Sequence, residues 1–178
     1  TISGDSASGN GNNGIYLTNG SETVIVSGSV MDTNGLNGIQ LDASSGDSII
    51  NNSLSGNYST AIELNLGSNN VRIASNSITS NRFDGIVLGS GGVNTVDVTG
   101  NVIAGNGEYG VWMSTASNRI AVRNNQIRSN TQTGIRIQGS DTNAIFQNDI
   151  SLNATGVQIT FSSFSNVISK NNFINNTD

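Results

Sequence analysis

The chain has 178 residues, a length that suits one domain, and 12 acidic against seven basic residues give it a formal net charge of −5. It contains no Pro, Cys or His, which removes disulfides and the usual zinc, copper and iron ligands, and leaves only oxygen-ligand metals such as calcium open. The negative charge argues against nucleic-acid binding, and no apolar run approaches the roughly 20 residues needed to span a bilayer.

A Gly-aliphatic-x-aliphatic unit recurs along the chain and predicts one strand in every repeat. The first unit is Gly14-Ile15-Tyr16-Leu17, and the alternation of buried and exposed positions within it is typical of a strand. Successive units begin 22 to 25 residues apart. The later units begin at Gly38, Ala61 (a variant without Gly), Gly85, Gly110, Gly134 and Gly156.

Two polar series and two apolar columns share this period. The first polar series comprises Asn10, Asn34, Asn57, Asn81, Asn106, Asn130, Asn153 and Asn176. The second begins with Asp5 and Gly28 and continues as Asn52, Asn76, Asn101, Asn125, Asn148 and Asn171. One apolar column is Ile25, Ile49, Ile73, Val98, Val122, Ile145 and Ile168, and the other is Ala7, Val30, Leu54, Ile78, Ile103, Ile127, Ile150 and Phe173.

These series predict an all-β fold, a single-stranded right-handed parallel β-helix over residues 1–178. The expected solenoid has about seven coils of 22–25 residues, three parallel sheets and a rise of about 4.8 Å per coil. We expect the Asn amides to point inward at the bends and bond the coils above and below, as amide ladders do. The chain opens and stops part-way through a coil, so we expect either a segment of a longer chain or end-to-end self-association.

Two stretches carry a resemblance to a known superfamily. The runs Asn143-Ala-Ile-Phe-Gln-Asn148-Asp-Ile150 and Asn166-Val-Ile-Ser-Lys-Asn171-Asn-Phe173 resemble right-handed parallel β-helix repeats. That pectate-lyase-like superfamily includes pectate lyases, polygalacturonases, alginate epimerases, viral tailspikes and a periplasmic accessory protein for copper maturation of nitrous oxide reductase. The likeness is greatest to the copper-accessory type and to secreted or surface β-helix proteins. It implies the fold over nearly the whole chain and a secreted, periplasmic or cell-surface location, whereas function depends on outward residues.

The outward residue of each Gly-aliphatic-x-aliphatic unit defines a predicted ligand-binding face. An aromatic ring beside an Arg and several amides on a flat sheet is typical of sugar binding, because the ring stacks on a pyranose while polar groups bond its hydroxyls or carboxylates. Trp112 and Arg136 lie one coil apart, so the same two residues also suit a structural cation–π pair. The outward column is Tyr16, Gln40, Glu63, Val87, Trp112, Arg136 and Gln158, flanked by Asp84 and Tyr109 on one side and by Asp42, Asn65, Ser114 and Gln138 on the other.

Catalysis is a weaker prediction from this sequence. The resemblance implies lyases that hold calcium with clustered acids and use an Arg or Lys base, and hydrolases that use paired or triple Asp residues. Here the nearest acids on the face are Glu63 and Asp84, and Arg136 is three coils from Glu63, roughly 14 Å. No catalytic residue and no cofactor are therefore assigned.

The sequence thus predicts a secreted or cell-surface scaffold, a carbohydrate-binding surface, or both. Two alternatives stay open, a polysaccharide lyase or epimerase and a periplasmic metal-maturation accessory protein, although the lack of His and Cys argues against direct copper binding. Elsewhere, Arg72 and Asp97 are predicted to form a surface ion pair. A small basic patch is expected at Arg119, Arg123 and Arg128.

Overall fold

The computed structural model describes residues 1–89 and 91–178, and every regular element within them is a β-strand. Each turn of the chain contributes one strand to each of three parallel sheets, so the molecule is a β-solenoid of about seven turns. The predicted fold class is therefore confirmed. Within the described residues no helix is long and apolar enough to cross a membrane.

The 22 strands are short and are numbered in chain order. Sheet A contains β1 (Ile2–Ser3), β3 (Ile25–Ser27), β6 (Ser48–Ile50), β9 (Arg72–Ala74), β12 (Asp97–Thr99), β15 (Ala121–Arg123), β18 (Ala144–Phe146) and β21 (Val167–Ser169). Sheet B contains β4 (Val30–Asp32), β7 (Ser53–Ser55), β10 (Ser77–Thr79), β13 (Val102–Ala104), β16 (Gln126–Arg128), β19 (Asp149–Ser151) and β22 (Asn172–Ile174). Sheet C contains β2 (Ile15–Thr18), β5 (Ile39–Asp42), β8 (Ile62–Asn65), β11 (Ile86–Leu88), β14 (Val111–Met113), β17 (Thr133–Gln138) and β20 (Thr155–Thr160).

The core consists of like side chains stacked along the axis. Ile39, Ile62 and Ile86 are register partners on successive strands of sheet C, and all three are fully buried. Burial of each such side chain contributes roughly 1.5–3 kcal/mol. Similar columns from sheets A and B meet them in the interior, which explains how a chain with a mean hydropathy of −0.18 folds.

Amide ladders occupy two of the three bends, as predicted. In the first ladder, Asn81 donates from its backbone N–H and its Nδ2 to Oδ1 of Asn106, at 3.1 and 3.0 Å. Asn57 bonds Asn81 in the same way, so each amide serves the coil on either side. The second ladder repeats this arrangement from Asn52 onward. Because these side chains are buried, the ladders satisfy the polar groups that the tight bends would otherwise leave unpaired.

The prediction for the second coil was wrong by one residue. Val26 and Met31 are the fully buried members of the two apolar columns, whereas Ile25 and Val30 are 43% and 38% exposed. Ser29 replaces Gly28 in the polar ladder and donates its N–H to Oδ1 of Asn52 at 2.9 Å. The run Val24-Ile25-Val26 does not alternate with polar residues, so the sequence alone does not indicate which member faces inward.

The predicted ion pair between Arg72 and Asp97 was also wrong. The two residues are register partners on sheet A, but Asp97 pairs instead with Arg123 at 2.8 Å. Arg123 lies diagonally across the next strand, where its long side chain reaches both carboxylate oxygens. The pair is partly exposed and contributes under ~1 kcal/mol. Arg123 is accordingly engaged with a carboxylate rather than free to contribute to the expected basic patch.

Candidate functional site

The outer face of sheet C brings the predicted column into one line. Parallel pairing aligns its seven members strand by strand, and we call this set the outer column: Tyr16, Gln40, Glu63, Val87, Trp112, Arg136 and Gln158. Val87 is only 7% exposed and separates the column into an N-terminal and a C-terminal half. The two halves differ in chemistry.

Hydrogen bonds within the protein occupy the N-terminal half. The Tyr16 hydroxyl donates to Oδ2 of Asp42 at 2.7 Å, and Nε2 of Gln40 donates to the same carboxylate at 3.0 and 3.2 Å. Nδ2 of Asn37 donates to Oε2 of Glu63 at 2.6 Å. These donors and acceptors hydrogen-bond to one another, so this half is an acidic surface with few polar groups left to bind a ligand.

The C-terminal half contains a compact group that we call the aromatic cluster: Tyr109, Trp112 and Arg136. The Tyr109 and Trp112 rings meet edge to face, with centroids 5.6 Å apart and planes at 60°. The Arg136 guanidinium carbon lies 5.0 Å from the Tyr109 ring centroid and 5.8 Å from that of Trp112. Its Nη1 also donates to the Tyr109 hydroxyl. The spacing-based prediction that Trp112 and Arg136 lie side by side matches this geometry.

Two hydrogen-bond donors in the aromatic cluster have no acceptor. Trp112 Nε1 and Arg136 Nε are both shielded from solvent, and neither has a partner in the part of the chain that the structure describes. A buried donor left unpaired costs about 1–3 kcal/mol. Such groups are rare in folded proteins, and each calls for a specific explanation such as strain, a catalytic role or a bound water or ion.

Asp84 and Tyr109 lie beside the outer column, where both are buried instead of exposed. The sequence placed both at outward positions, but they are only 4% and 8% exposed because neighbouring side chains cover them. The Tyr109 backbone N–H donates to Oδ1 of Asp84 at 2.9 Å. Burial raises the pKa of Asp84 to about 6, helped by the charges of Glu108 and Glu63 and opposed by the Tyr109 hydrogen bond and by Arg136.

Sequence reasoning missed a second cation–aromatic group, which lies in the bend that leads into sheet C. The Arg82 guanidinium carbon lies 4.0 Å from the Tyr58 ring centroid and 5.6 Å from that of Phe83. All three side chains are exposed, and we call them the bend cluster. The signal was present in the spacing, because Tyr58 and Arg82 each follow a ladder Asn and so occupy equivalent positions on adjacent coils.

Carboxylates do not gather into a metal site. Among residues 1–89 and 91–178, no group of three or more Asp or Glu side chains is placed to hold a metal ion. Glu63 and Asp84, the nearest acids on the face, interact through their charges but project from different columns.

Comparison with protein families identifies two overlapping matches. The family model of the periplasmic copper-binding protein (NosD) matches residues 66–178, and a right-handed β-helix region matches residues 1–97. Together they span the chain and agree with the predicted handedness. No curated protein matches the chain.

Solved structures share the fold at low sequence identity. The A-module of the mannuronan C-5 epimerase AlgE4 from Azotobacter vinelandii is 17% identical with a TM-score of 0.78, over 88% of this chain and 55% of that one. The periplasmic alginate epimerase AlgG is 19% identical with a TM-score of 0.75, over 89% and 46%. Tailspike protein 2 of the Escherichia coli O157:H7 bacteriophage CAB120 is 13% identical with a TM-score of 0.55, over 84% and 24%. The chain spans about half the length of the epimerases, and the likeness concerns the fold.

Proposed function

The chain belongs to the NosD family of right-handed β-helix proteins, and from this premise we propose that it acts outside the cytoplasm as a rigid scaffold that binds carbohydrate on sheet C. The family description and the periplasmic epimerase among the structural neighbours support this location. The aromatic cluster is the observation that carries the binding proposal. It places a partly exposed Trp ring and a guanidinium side by side on one face, supported from beneath by the buried Tyr109 ring.

The chemistry of the aromatic cluster suits a sugar. A pyranose presents an apolar face of C–H groups to an aromatic ring and hydroxyl oxygens around its edge. Trp112 supplies a partly exposed ring, and the partly exposed Arg136 guanidinium supplies N–H donors beside it. The hydrogen bond from Arg136 to the Tyr109 hydroxyl holds the cluster together, so little side-chain entropy is lost when a ligand binds.

Copper, which the family description names, does not fit the residues present. Copper sites in proteins use Cys, His and Met side chains. This chain has no Cys or His, and its two methionines, Met31 and Met113, are fully buried on different sheets. We therefore derive no step that depends on copper.

Glycan microarrays and affinity electrophoresis test the binding proposal with one variant and one matched control. Trp112→Ala should weaken binding about tenfold or more, because it removes the stacking ring. Phe164→Ala removes a 65% exposed aromatic ring from the bend between β20 and β21, outside the aromatic cluster, and should leave binding within about twofold of the wild type. Circular dichroism should show that both variants keep the β-solenoid.

Three outcomes would contradict this function. The first is an equal effect of Trp112→Ala and Phe164→Ala, and the second is no binding to any glycan. The third is unsaturated product released from polyuronates by the wild type but not by Asp84→Asn, which would indicate a lyase instead.

A further inference from the structure

We propose that the glycan is anionic and that two guanidinium groups held against aromatic rings, Arg136 and Arg82, recognise its acidic groups. The inference rests on the proposed function, since it names the class of carbohydrate that the same face takes. Three observations carry it: the lack of a carboxylate partner at Arg136, the matching arrangement at Arg82, and the distribution of charge along the solenoid.

Arg136 has no carboxylate partner within the described part of the protein, and its solvent-shielded Nε is unpaired. Its Nη1 is engaged by the Tyr109 hydroxyl, while its Nε has no acceptor. Among the described residues only Arg123 forms an ion pair, so no carboxylate of the protein lies within 4 Å of Arg136. A guanidinium that no internal carboxylate neutralises keeps its full charge for a carboxylate, sulfate or phosphate of a ligand.

Arg82 repeats this arrangement in the bend cluster. The Tyr58 ring lies against its guanidinium and Phe83 lies beside it, and within the described part of the chain no carboxylate pairs with it. Stacking on a ring leaves the N–H groups at the rim of a guanidinium free to donate. Within the described residues of a protein with a net charge of −5, two of the few cations thus form no direct ion pair, although Arg136 still interacts with Asp84 through its charge.

The two cations are separated by only two strand spacings along the solenoid axis. Arg82 precedes β11, and Arg136 lies on β17, two strands further along sheet C. Two strand spacings amount to about 10 Å along the axis. Trp112 belongs to the intervening coil, so a partly exposed aromatic ring lies between the two charges along the axis.

Charge along the solenoid restricts such a ligand to one part of the face. Residues 1–71 contain six acidic residues and no Lys or Arg, whereas residues 72–178 contain seven basic and six acidic residues. The N-terminal half of the outer column, with Asp42 and Glu63, therefore repels an anionic chain, and the C-terminal half attracts one. Glu108 and the buried Asp84 repel the acidic groups of such a ligand from the surface between the two guanidiniums. We therefore expect those acidic groups to bind at Arg82 and Arg136 themselves.

Matched pairs of polysaccharides test the inference by isothermal titration. Polygalacturonate and its methyl ester share a backbone and differ in charge, and dextran sulfate and dextran form a second pair that distinguishes sulfate from carboxylate. We expect at least one charged polymer to bind about tenfold or more tightly than its neutral counterpart. Raising the salt concentration from about 0.05 to 0.2 M should weaken that binding.

Three variants then assign the effect. Arg136→Gln should lower affinity for the charged polymer about tenfold or more, and Arg82→Gln should lower it severalfold. Arg128→Gln removes an exposed cation on sheet B and should change affinity less than twofold. The inference is overturned if neither charged polymer binds better than its neutral partner, or if Arg136→Gln behaves like Arg128→Gln. Binding to neutral glycans that still depends on Trp112 would leave the proposed function intact, whereas no binding to any glycan would refute both.

Discussion

Asp84 is a buried carboxyl group whose pKa burial raises from the usual 3.8 to about 6. Between about pH 4 and pH 6 the folded state therefore binds more protons at this group than the unfolded state does. The stabilisation that comes from the neutral form is fully present below about pH 4 and is lost as the pH rises through about 6. Above that pH the molecule carries a desolvated charge next to Tyr109, at a cost in folding free energy.

Asp84→Asn should remove this pH dependence. Asn keeps an oxygen to accept the Tyr109 N–H but has no charge to desolvate, so the variant should match the wild type near pH 4 and exceed its stability at pH 8 by about 1–3 kcal/mol. Urea unfolding at the two pH values measures the difference. Asp149→Asn, at an exposed position on sheet B, provides the control and should not alter the pH profile. A variant less stable than wild type at both pH values would contradict the argument.

At the residue scale, spacing predicted neighbours but not side-chain directions. That Trp112 and Arg136 adjoin follows from one shared position in adjacent coils. The burial of Asp84 and Tyr109 depends on rotamers and on the bulk of neighbouring rings, and the choice of Arg123 over Arg72 by Asp97 depends on a diagonal reach. A one-dimensional repeat does not specify these features.

The Asn ladders are the elements that hold the bends of adjacent coils together. Oδ1 of Asn81 accepts two hydrogen bonds from Asn57, while its Nδ2 donates to Asn106 and to the Leu54 carbonyl. All of these groups are shielded from water, so removing one amide leaves several donors and acceptors unpaired at once.

Asn81→Ala should lower the free energy of unfolding by about 3 kcal/mol or more, because each unpaired buried group costs about 1–3 kcal/mol. Gln126→Ala, which removes an exposed amide from the outer side of sheet B, should change it by less than ~0.5 kcal/mol. Chemical denaturation of both variants measures the difference. Comparable small losses in the two variants would mean that the ladder follows from the fold rather than stabilising it.

The predicted sheets and ladders match the structure wherever apolar and polar residues alternate. Their prediction failed at the second coil, where Val24, Ile25 and Val26 are all suited to the interior. The structure resolves the choice through contacts with the next coil, since Val26 is the register partner of Ile49. Stacking on the next coil, and not the local sequence, thus determines which residues of the strand face the interior.

For the whole molecule, each coil contacts chiefly its two neighbours, as in other solenoid proteins. Removal of residues 15–38 deletes one complete coil and joins Gly14 to Ile39, which preserves the repeat. Removal of residues 15–26 deletes only half as many residues but displaces Asn10 and everything before it from their partners.

We expect the larger deletion to be the milder one. The variant without residues 15–38 should keep a β-sheet circular dichroism spectrum and unfold cooperatively with a modestly lower Tm. The variant without residues 15–26 should show a larger fall in Tm, because its N-terminal strands lose register and expose apolar side chains. If the two variants rank the other way round, coils are not the unit of folding.

The direction of the amide ladders has a consequence for how such proteins change in size. An interior ladder amide such as Asn81 donates one Nδ2 proton to the Asn Oδ1 of the coil that follows and also donates from Nδ2 to a backbone carbonyl of the coil before, while its own Oδ1 accepts from the Asn of the coil before. A duplicated coil therefore has all of these partners already in place. The rod therefore grows or shrinks in steps of one strand spacing, about 4.8 Å, without a redesign of its interior. Tandem duplication of coils therefore changes the distance between the two ends of the solenoid in fixed increments. This change does not depend on the residues on the outer faces of the sheets.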